Sequence, residues 1–362
     1  FKKLNMKKKS LSAKKIIPRN LNYNQILKDI KIFEIYKNFE KSFKNIEIPN
    51  KIAISVSGGP DSLALCFLLL CYKFKKKKNL KPFFYLVDHG LRDNSHKEAI
   101  YVQNLLKSKK LDLKILKWKG KKPASNLQNL ARKERYKLIF KECTKLNISS
   151  VLTGHHQEDM YETFFSRLLR GSGTEGLSSF SKIENNFFFK NKKIKLVRPL
   201  LNLVKKDLIY ISKSVFNFYV KDPSNDSEKF QRARIRKLIS SLTNEGLDFK
   251  KLNLTINNLG STNRSINTIV DYNIYKNVII MKKKKYLINS DFFLMPEEVV
   301  FRSLSILVKN ISQKDYPPRG KKMIKLIKDL KKNRHIKATL GGTIIEKIHK
   351  SVVVSEEKQK KH

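Results

Sequence analysis

The stretch KIAISVSGGPDSLALCFLLLCY, Lys51–Tyr72, decides the fold of this chain. Lys51–Val56 is a short, β-branched apolar run of strand length, and Leu63–Tyr72 is an apolar run that reads as a buried helix. Between them lies SGGPDS, Ser57–Ser62, a glycine turn joining strand to helix. Gly58 and Gly59 let the backbone turn tightly and approach a ligand closely. Pro60 suits the first turn of a helix, where a missing N–H costs nothing. The free N–H groups of such a turn, reinforced by the helix dipole, form a cradle for phosphate, and Ser57 and Ser62 add hydroxyl donors. Asp61 would be repelled by bare phosphate, so a carboxylate here points to a bridging Mg2+ ion. Taken alone, the hexapeptide is also compatible with an ordinary glycine-rich turn.

Upstream, residues 1–20 are a basic lead-in. Apolar residues then recur at helical spacing from Tyr23 to Phe43, with Ile26, Ile30 and Phe33 on one face and Leu27, Tyr36 and Phe43 at its edges. Downstream, PFFYLVD (Pro82–Asp88), LDLKILKW (Leu111–Trp118), ISSVLTG (Ile148–Gly154) and IKLVRPL (Ile194–Leu200) predict further strands. Asn126–Leu146 and Asp159–Leu169 predict helices between them. Strands alternating with helices predict an α/β fold with a doubly wound parallel sheet. The expected division is residues 1–48 as lead-in and helix, 49–225 as the α/β domain, 226–310 as a mostly helical segment and 311–362 as a small C-terminal α+β region. A lysine run, Lys282–Lys285, suits a hairpin turn, YPPRGKK (Tyr316–Lys322) opens the last segment, and ATLGGTIIEK (Ala338–Lys347) reads as strand, Gly-Gly turn, strand.

With 362 residues and 40% hydrophobic composition, the chain can bury a sizeable core, which excludes a wholly disordered protein. Its longest apolar run, Leu63–Tyr72, is far short of the roughly 18 to 20 residues that cross a bilayer, so no membrane role is expected. The lysine-rich N-terminal stretch lacks the apolar segment of a secretory signal. Cys66, Cys71 and Cys143 form no CxxC pair, which argues against a disulfide framework, a zinc site or an iron–sulfur cluster. A reduced, cytoplasmic protein is the expectation. Lysine and arginine number 78 against 31 acidic residues, a net +47, so polyanions are attracted in a salt-sensitive way. Drift toward lysine at tolerant surface sites explains part of such an excess, and charge alone names no function.

Two glycine patterns are decoys. Gly171, Gly173 and Gly176 spell GxGxxG but follow a predicted helix rather than a strand. The same loop approximates a Walker A motif, with Leu177 where the lysine must be. Three other stretches lie at or near strand ends, where open α/β sheets bind ligands: VDHGLR (Val87–Arg92), ARKERY (Ala131–Tyr136) and TGHHQED (Thr153–Asp159). Each alone reads equally well as solvated surface. A zinc reading of His155 and His156 is poor, because adjacent side chains diverge and HExxH is absent.

Together these motifs carry a resemblance. SGGPDS resembles the pyrophosphatase loop of the N-type ATP pyrophosphatases, the PP-loop superfamily, whose fold resembles that of adenine nucleotide alpha-hydrolases. With VDHGLR, ARKERY, GHHQED, ETFFSRLLRGSGTEGL (Glu162–Leu177), RPLL (Arg198–Leu201), DPSND (Asp222–Asp226) and FQRARIR (Phe230–Arg236), the chain is similar to the tRNA(Ile)-lysidine synthetase family over residues 50–240. The family usually has two aspartates after the paired histidines, and here they are Glu158 and Asp159. The resemblance implies ligation of free L-lysine to the wobble cytidine of a CAU-anticodon tRNA(Ile), using ATP and Mg2+ and passing through an adenylated tRNA. It implies that Ser57, Gly58, Gly59, Pro60, Asp61 and Ser62 bind ATP and that Asp61 and Asp159 hold Mg2+. It further implies that His155 is a candidate base, that Arg132 clamps a carboxylate or phosphate, and that the helical segment 226–310 contacts tRNA. A homodimer is left open. The alternatives are a PP-loop tRNA thiolase, which typically needs cysteine pairs, and a non-catalytic RNA-binding protein.

Overall fold

The computed structural model describes residues 21–44, 46–91, 94–120, 127–178, 180, 184–189, 192–220, 231–282, 285–312, 320–332 and 335–357. Arg92, the DPSND segment with Phe230, Tyr316–Arg319 and the turn residues 283–284 lie outside them. The chain divides into two compact units at Phe249/Lys250.

The first unit opens with α1 (Tyr23–Ile26) and α2 (Ile30–Lys41), followed by β1 (Lys51–Val56), α3 (Pro60–Lys75), β2 (Lys81–Asp88), α4 (Ser95–Ser108) and β3 (Leu113–Lys117). It continues with α5 (Leu127–Lys145), β4 (Ser150–Leu152), α6 (Gln157–Leu168), α7 (Thr174–Ser178), β5 (Glu184–Phe189), β6 (Lys192–Val197), α8 (Lys205–Phe216) and α9 (Gln231–Asn244). The six strands run in the order β3-β2-β1-β4-β6-β5, parallel except for β5, which pairs antiparallel with β6 at the edge. The sequence reading contains no β5. ENNFFF has three polar residues followed by three phenylalanines, a pattern with no period of two to mark it.

Alternation along β1 shows how the sheet is covered on both faces. Ile52, Ile54 and Val56 pack with α2, α3, α4 and α8, whereas Ala53 packs with Ile139, Phe140 and Cys143 of α5. A parallel strand buried on both faces needs an apolar run, as β1 has. Helix α3 is buried nearly all round, with Leu63, Leu65, Leu68 and Leu69 at 0% exposure. Each such leucine contributes about 1.5–3 kcal/mol of burial.

The N-terminal helix departs from the sequence reading. Asp29 breaks it and caps α2, its Oδ1 accepting from the Ile32 N–H at 3.0 Å. The break shifts the helical phase, so Ile32, Ile35, Tyr36 and Phe39 face the core while Ile30 is 77% and Phe33 40% exposed.

The second unit contains α10 (Phe249–Asn277, nearly all of it), the hairpin β7 (Val278–Lys282) and β8 (Lys285–Ile288), a 3-10 turn Ser290–Leu294, α11 (Glu297–Ser312) and α12 (Gly320–Lys332). It ends in β9 (His335–Leu340), β10 (Thr343–Ile348) and β11 (Ser351–Glu356). Its strands form an antiparallel sheet in the order β7-β8-β11-β10-β9, with the β9–β10 turn at Gly341 and Gly342, both at positive φ. Residues from both sides of position 310, such as Leu304, Val308, Met323 and Ile345, share its core. Helix α12 turns Met323, Leu326, Ile327 and Leu330 inward and leaves Lys321, Lys322, Lys325, Lys328, Lys331 and Lys332 exposed. Among the described residues, no helix is long and apolar enough to cross a membrane.

Candidate active site

The carboxyl ends of β1, β2, β4 and β6 bring the sequence motifs to one edge of the sheet, as expected for an open α/β fold. After β1, Gly58 turns at φ +79°, and a Cβ there would lie 2.6 Å from Val102 Cγ2. Only glycine fits both the conformation and the space. Gly59 is the N-cap of α3 and Pro60 its first residue, and Ser212 of α8 donates to the Pro60 carbonyl at 2.7 Å. Ser62 Oγ closes the loop: it accepts from the Ser57 N–H at 3.1 Å and Ser57 Oγ at 3.2 Å, and donates to the Gly59 carbonyl at 3.0 Å. The result is a short loop folded over the N-terminus of a 16-residue helix. Gly154, after β4, packs directly on it, since a Cβ there would lie 3.1 Å from Asp61 C and Ser62 N.

One side of this edge is acidic. Buried His156 has its Nε2 3.8 Å from Asp61 Oδ2 and 3.5 Å from Asp159 Oδ2, and its Nδ1 2.9 Å from Glu158 Oε2. Burial works against its charge, but the carboxylates of Glu158, Asp159 and Asp61 outweigh it and raise the His156 pKa above the usual value. Asp159 also accepts from the His156 N–H at 3.1 Å, which caps α6. Lys205 Nζ donates to Asp61 Oδ2 at 2.8 Å. Burial, with Asp159 nearby, still raises the Asp61 carboxyl despite His156 and Lys205. For Asp159, burial is outweighed by the two histidines and Arg232, and its carboxyl lies below the usual range.

The other side is basic. His155 accepts at Nε2 from Arg132 Nη1 at 3.4 Å, because a guanidinium only donates. Its Nδ1 therefore donates to Thr153 Oγ1 at 2.8 Å, and Thr153 donates onward to the Val197 carbonyl. Burial, with Arg132, Arg198 and Arg232, pushes the His155 pKa down to about 3. A second pair repeats the arrangement: Arg135 Nε donates to His89 Nε2 at 3.4 Å, and burial with Arg135 lowers His89 to about 4. Asp88 holds the β2 end by accepting from the Gly90 N–H, Ser95 Oγ and His96 Nδ1, each at 3.0 Å. Arg132 lies over the Tyr136 ring at 5.1 Å and Arg198 over Phe180 at 4.5 Å.

The edge thus assembles Ser57–Ser62, Asp61, Asp159, His155 and Arg132, all singled out from sequence. Four further residues, Lys205, Glu162, Arg198 and Arg232, were given no role from the sequence, although Glu162 opens the quoted Glu162–Leu177 motif. Lys205 lies 144 positions from Asp61, and nothing local marks it. Glu162, one turn beyond Asp159, is 4% exposed; Arg236 Nε donates to its Oε1 at 2.5 Å, while its Oε2 is buried without a hydrogen-bond partner. Arg198 and Arg232 stand inside the RPLL and FQRARIR motifs, so their presence there was the available signal. Of the GxGxxG glycines, Gly171 follows the end of α6, at φ +69° and donating to the Leu168 carbonyl, while Gly176 lies within α7, and a Cβ on Gly171 or Gly173 would meet nothing within 4 Å.

Whether these groups suit Mg2+ is tested by their chemistry. Asp61 Oδ1 is buried with no hydrogen-bond partner, and Asp159 lies against the same histidine nitrogen. Two hard oxygen donors, with phosphate oxygens and water to complete the shell, match the preference of Mg2+.

A strand–SGGPDS–helix turn with this edge defines a nucleotide-binding α/β protein of the PP-loop type, and the profile of the family described as PP-loop domain matches residues 31–242. A tRNA(Ile)-lysidine synthase from Wolbachia pipientis wMel is 32% identical over 314 residues, covering 85% of this chain and 71% of that protein. The synthase of Orientia tsutsugamushi (strain Boryong) is 32% identical over 315 residues, covering 85% and 70%. Among solved structures, the U34-tRNA thiolase NcsA from Methanococcus maripaludis superposes with a TM-score of 0.53 at 17% identity, covering 65% of this chain and 81% of that one, a likeness of fold. The chain belongs to the tRNA(Ile)-lysidine synthase family of PP-loop proteins. Membership in the PP-loop family implies that it uses ATP.

Proposed function

We propose that the protein joins free L-lysine to the wobble cytidine of a CAU-anticodon tRNA(Ile) at the expense of ATP. The observation that carries this reading is the glycine loop on the N-terminus of α3, with the partnerless Asp61 Oδ1 beside Asp159. In the first step the cytidine C2 oxygen bonds to the α-phosphorus of ATP. The bond to the β-phosphate oxygen breaks, and its electron pair leaves with pyrophosphate. Ser57–Ser62 would seat the phosphates, and Asp61 and Asp159 would hold Mg2+, which neutralises phosphate charge when bound.

In the second step the lysine ε-amino nitrogen bonds to C2. The ε-ammonium first gives a proton to a base, which frees the lone pair that forms this bond. The C2–O bond breaks, AMP departs with the electron pair, and the nitrogen releases a second proton. Glu162 offers its partnerless oxygen to the cationic amino acid. His155 is neutral, but its lone pair faces Arg132. Once Arg132 turns to an anion, the substrate carboxylate or a phosphate, that lone pair becomes available and the guanidinium stops depressing its basicity. The exposed lysines of α12 supply backbone contacts for tRNA. A thiolase reading has less support, because Cys66, Cys71 and Cys143 are buried in the core and burial pushes their thiols up.

The test incubates the chain with Mg2+, ATP, radiolabelled lysine and a CAU-anticodon tRNA(Ile) transcript. Label on the tRNA together with AMP is expected, and both should vanish when the wobble base is changed. AMP without tRNA-bound label would overturn the ligation reading.

A further inference from the structure

A loop of this kind has an electrostatic deficit. When pyrophosphate leaves, negative charge builds on the β-phosphate, yet Ser57–Ser62 contains no lysine and places a carboxylate, Asp61, at the helix N-terminus. Walker-type loops carry their own lysine at this point. Here the nearest cation comes from a distant part of the chain. Lys205, the first residue of α8, has its ammonium 2.8 Å from Asp61 Oδ2, and its side chain is 41% exposed. The side chain is therefore partly open to solvent, and its ammonium already sits against Asp61, at the N-terminus of the helix that follows the glycine loop.

The backbone of Lys205 is held far more firmly than its side chain. Glu158 Oε1 and Oε2 accept from the Lys205 N–H at 2.9 and 3.1 Å, and Oε2 also accepts from His156 Nδ1 at 2.9 Å. A carboxylate at a helix N-terminus is favoured by the helix dipole, and here it caps α8 from another element. Two turns along the same helix, Ser212 grips the Pro60 carbonyl at 2.7 Å. Helix α8 is thus fastened at two points to the frame that presents the glycine loop. Glu158 spends its oxygens on the α8 terminus and His156, and so sits apart from the carboxylate pair Asp61 and Asp159.

We infer that Lys205 is a catalytic residue that contacts the departing pyrophosphate, and that Glu158 is the positioning residue that aims it. The inference rests on the ligation reading for its reaction, but its binding test does not. In the ligand-free protein Lys205 balances Asp61. When polyphosphate occupies the loop, the ammonium moves from Asp61 to the β-phosphate oxygens, which leaves Asp61 to the metal. The bond broken is the one between the α-phosphorus and the bridging oxygen, and its electron pair goes to the pyrophosphate that Lys205 holds.

The experiment uses the full chain and inorganic pyrophosphate with Mg2+ as probe, measured by calorimetry, alongside the rate of AMP formation with transcript. Lys205→Met should weaken pyrophosphate binding about tenfold or more, the scale of one lost charge-assisted hydrogen bond. It should slow AMP formation about 100-fold and leave KM for lysine unmoved. Lys205→Arg should recover most of the binding. Glu158→Gln should show the same pattern more weakly, Glu158→Asp should restore it in part, and Glu158→Gln should add nothing in the Lys205→Met background. Unchanged pyrophosphate affinity in Lys205→Met would overturn the role of Lys205. Additive losses in the double variant would overturn the positioning role of Glu158. If the wild-type chain transfers no lysine, the ligation reading fails, while Lys205-dependent pyrophosphate binding still decides the residue assignment.

Discussion

His155 and His156 are neighbours in the chain and opposites in chemistry. His156 sits among Asp61, Glu158 and Asp159 and is raised in pKa, whereas His155 sits among Arg132, Arg198 and Arg232 and is lowered to about 3. The same strand end therefore feeds an acidic half and a basic half of one site. Two imidazoles side by side in the chain are thus shifted in opposite directions by their surroundings. The two adjacent side chains meet different partners, Glu158 and Asp61 for His156 and Arg132 for His155, and each is titrated by what it meets. An acidic half suits a metal and a cationic amino acid; a basic half suits phosphate and carboxylate.

The sharpest way to break this division is to neutralise the acidic half. Asp61→Asn and Asp159→Asn should each cut AMP formation by about 1,000-fold or more, given the weight of charge stabilisation at a phosphoryl centre. Full turnover in either variant would remove that carboxylate from the mechanism. Breaking the basic half should cost less: Arg132→Ala is expected to lower tRNA-bound lysine about 100-fold. Wild-type rates would show that Arg132 only buffers His155.

Glu162→Gln tests whether the acidic half extends to the amino acid. It should raise KM for lysine about tenfold while AMP formation in the first turnover is unaffected, the scale of one charge-assisted contact. An unmoved KM would leave Glu162 as a partner of Arg236 alone.

The basic half has a signature in pH. His155 and His89 are depressed to about 3 and about 4, below the roughly 6.5 of an unfolded histidine. The unfolded chain therefore binds more protons across that interval. The stability these neutral histidines contribute is present above pH 6.5 and is lost as pH falls toward 3 or 4, by up to about tenfold in the folding constant per pH unit for each. Melting temperature against pH, in the absence of metal, should flatten on the acid side in His155→Gln and in His89→Gln. An unchanged slope would mean that both are already solvated.

The smallest effect is expected from Gly154→Ala, which tests the frame on which both halves stand. A Cβ 3.1 Å from the Asp61 and Ser62 backbone forces a shift of a few tenths of an ångström. AMP formation should fall by less than about tenfold, and melting should drop slightly, the cost of modest overpacking at about 1 kcal/mol. No change in either would show that the loop yields freely.

Much of the fold was legible because a parallel strand buried on both faces must be an apolar run. KIAISV, PFFYLVD and ISSVLTG each mark a strand by that run alone, and SGGPDS between strand and helix marks the ligand edge. The edge strand β5 and the phase of α2 were not legible. The former lacks alternation, and the latter depends on Asp29 ending one helix and capping the next. Within the site, Asp61, Asp159, His155 and Arg132 carried local signals and Glu162 stood inside a quoted motif, whereas Lys205 gained its meaning only from what it touches.

The strand–loop–helix unit, the doubly wound sheet and the placing of SGGPDS and TGHHQED at strand ends could be read from the sequence, because these follow from local periodicity and backbone freedom. The fold in space settles which cation answers Asp61, where the Glu158 carboxylate is used, and that His156 is raised in pKa while its neighbour His155 is lowered. Hydrogen bonds and fields act over a few ångströms in space, and the residues that supply them here lie up to 144 positions apart in the chain.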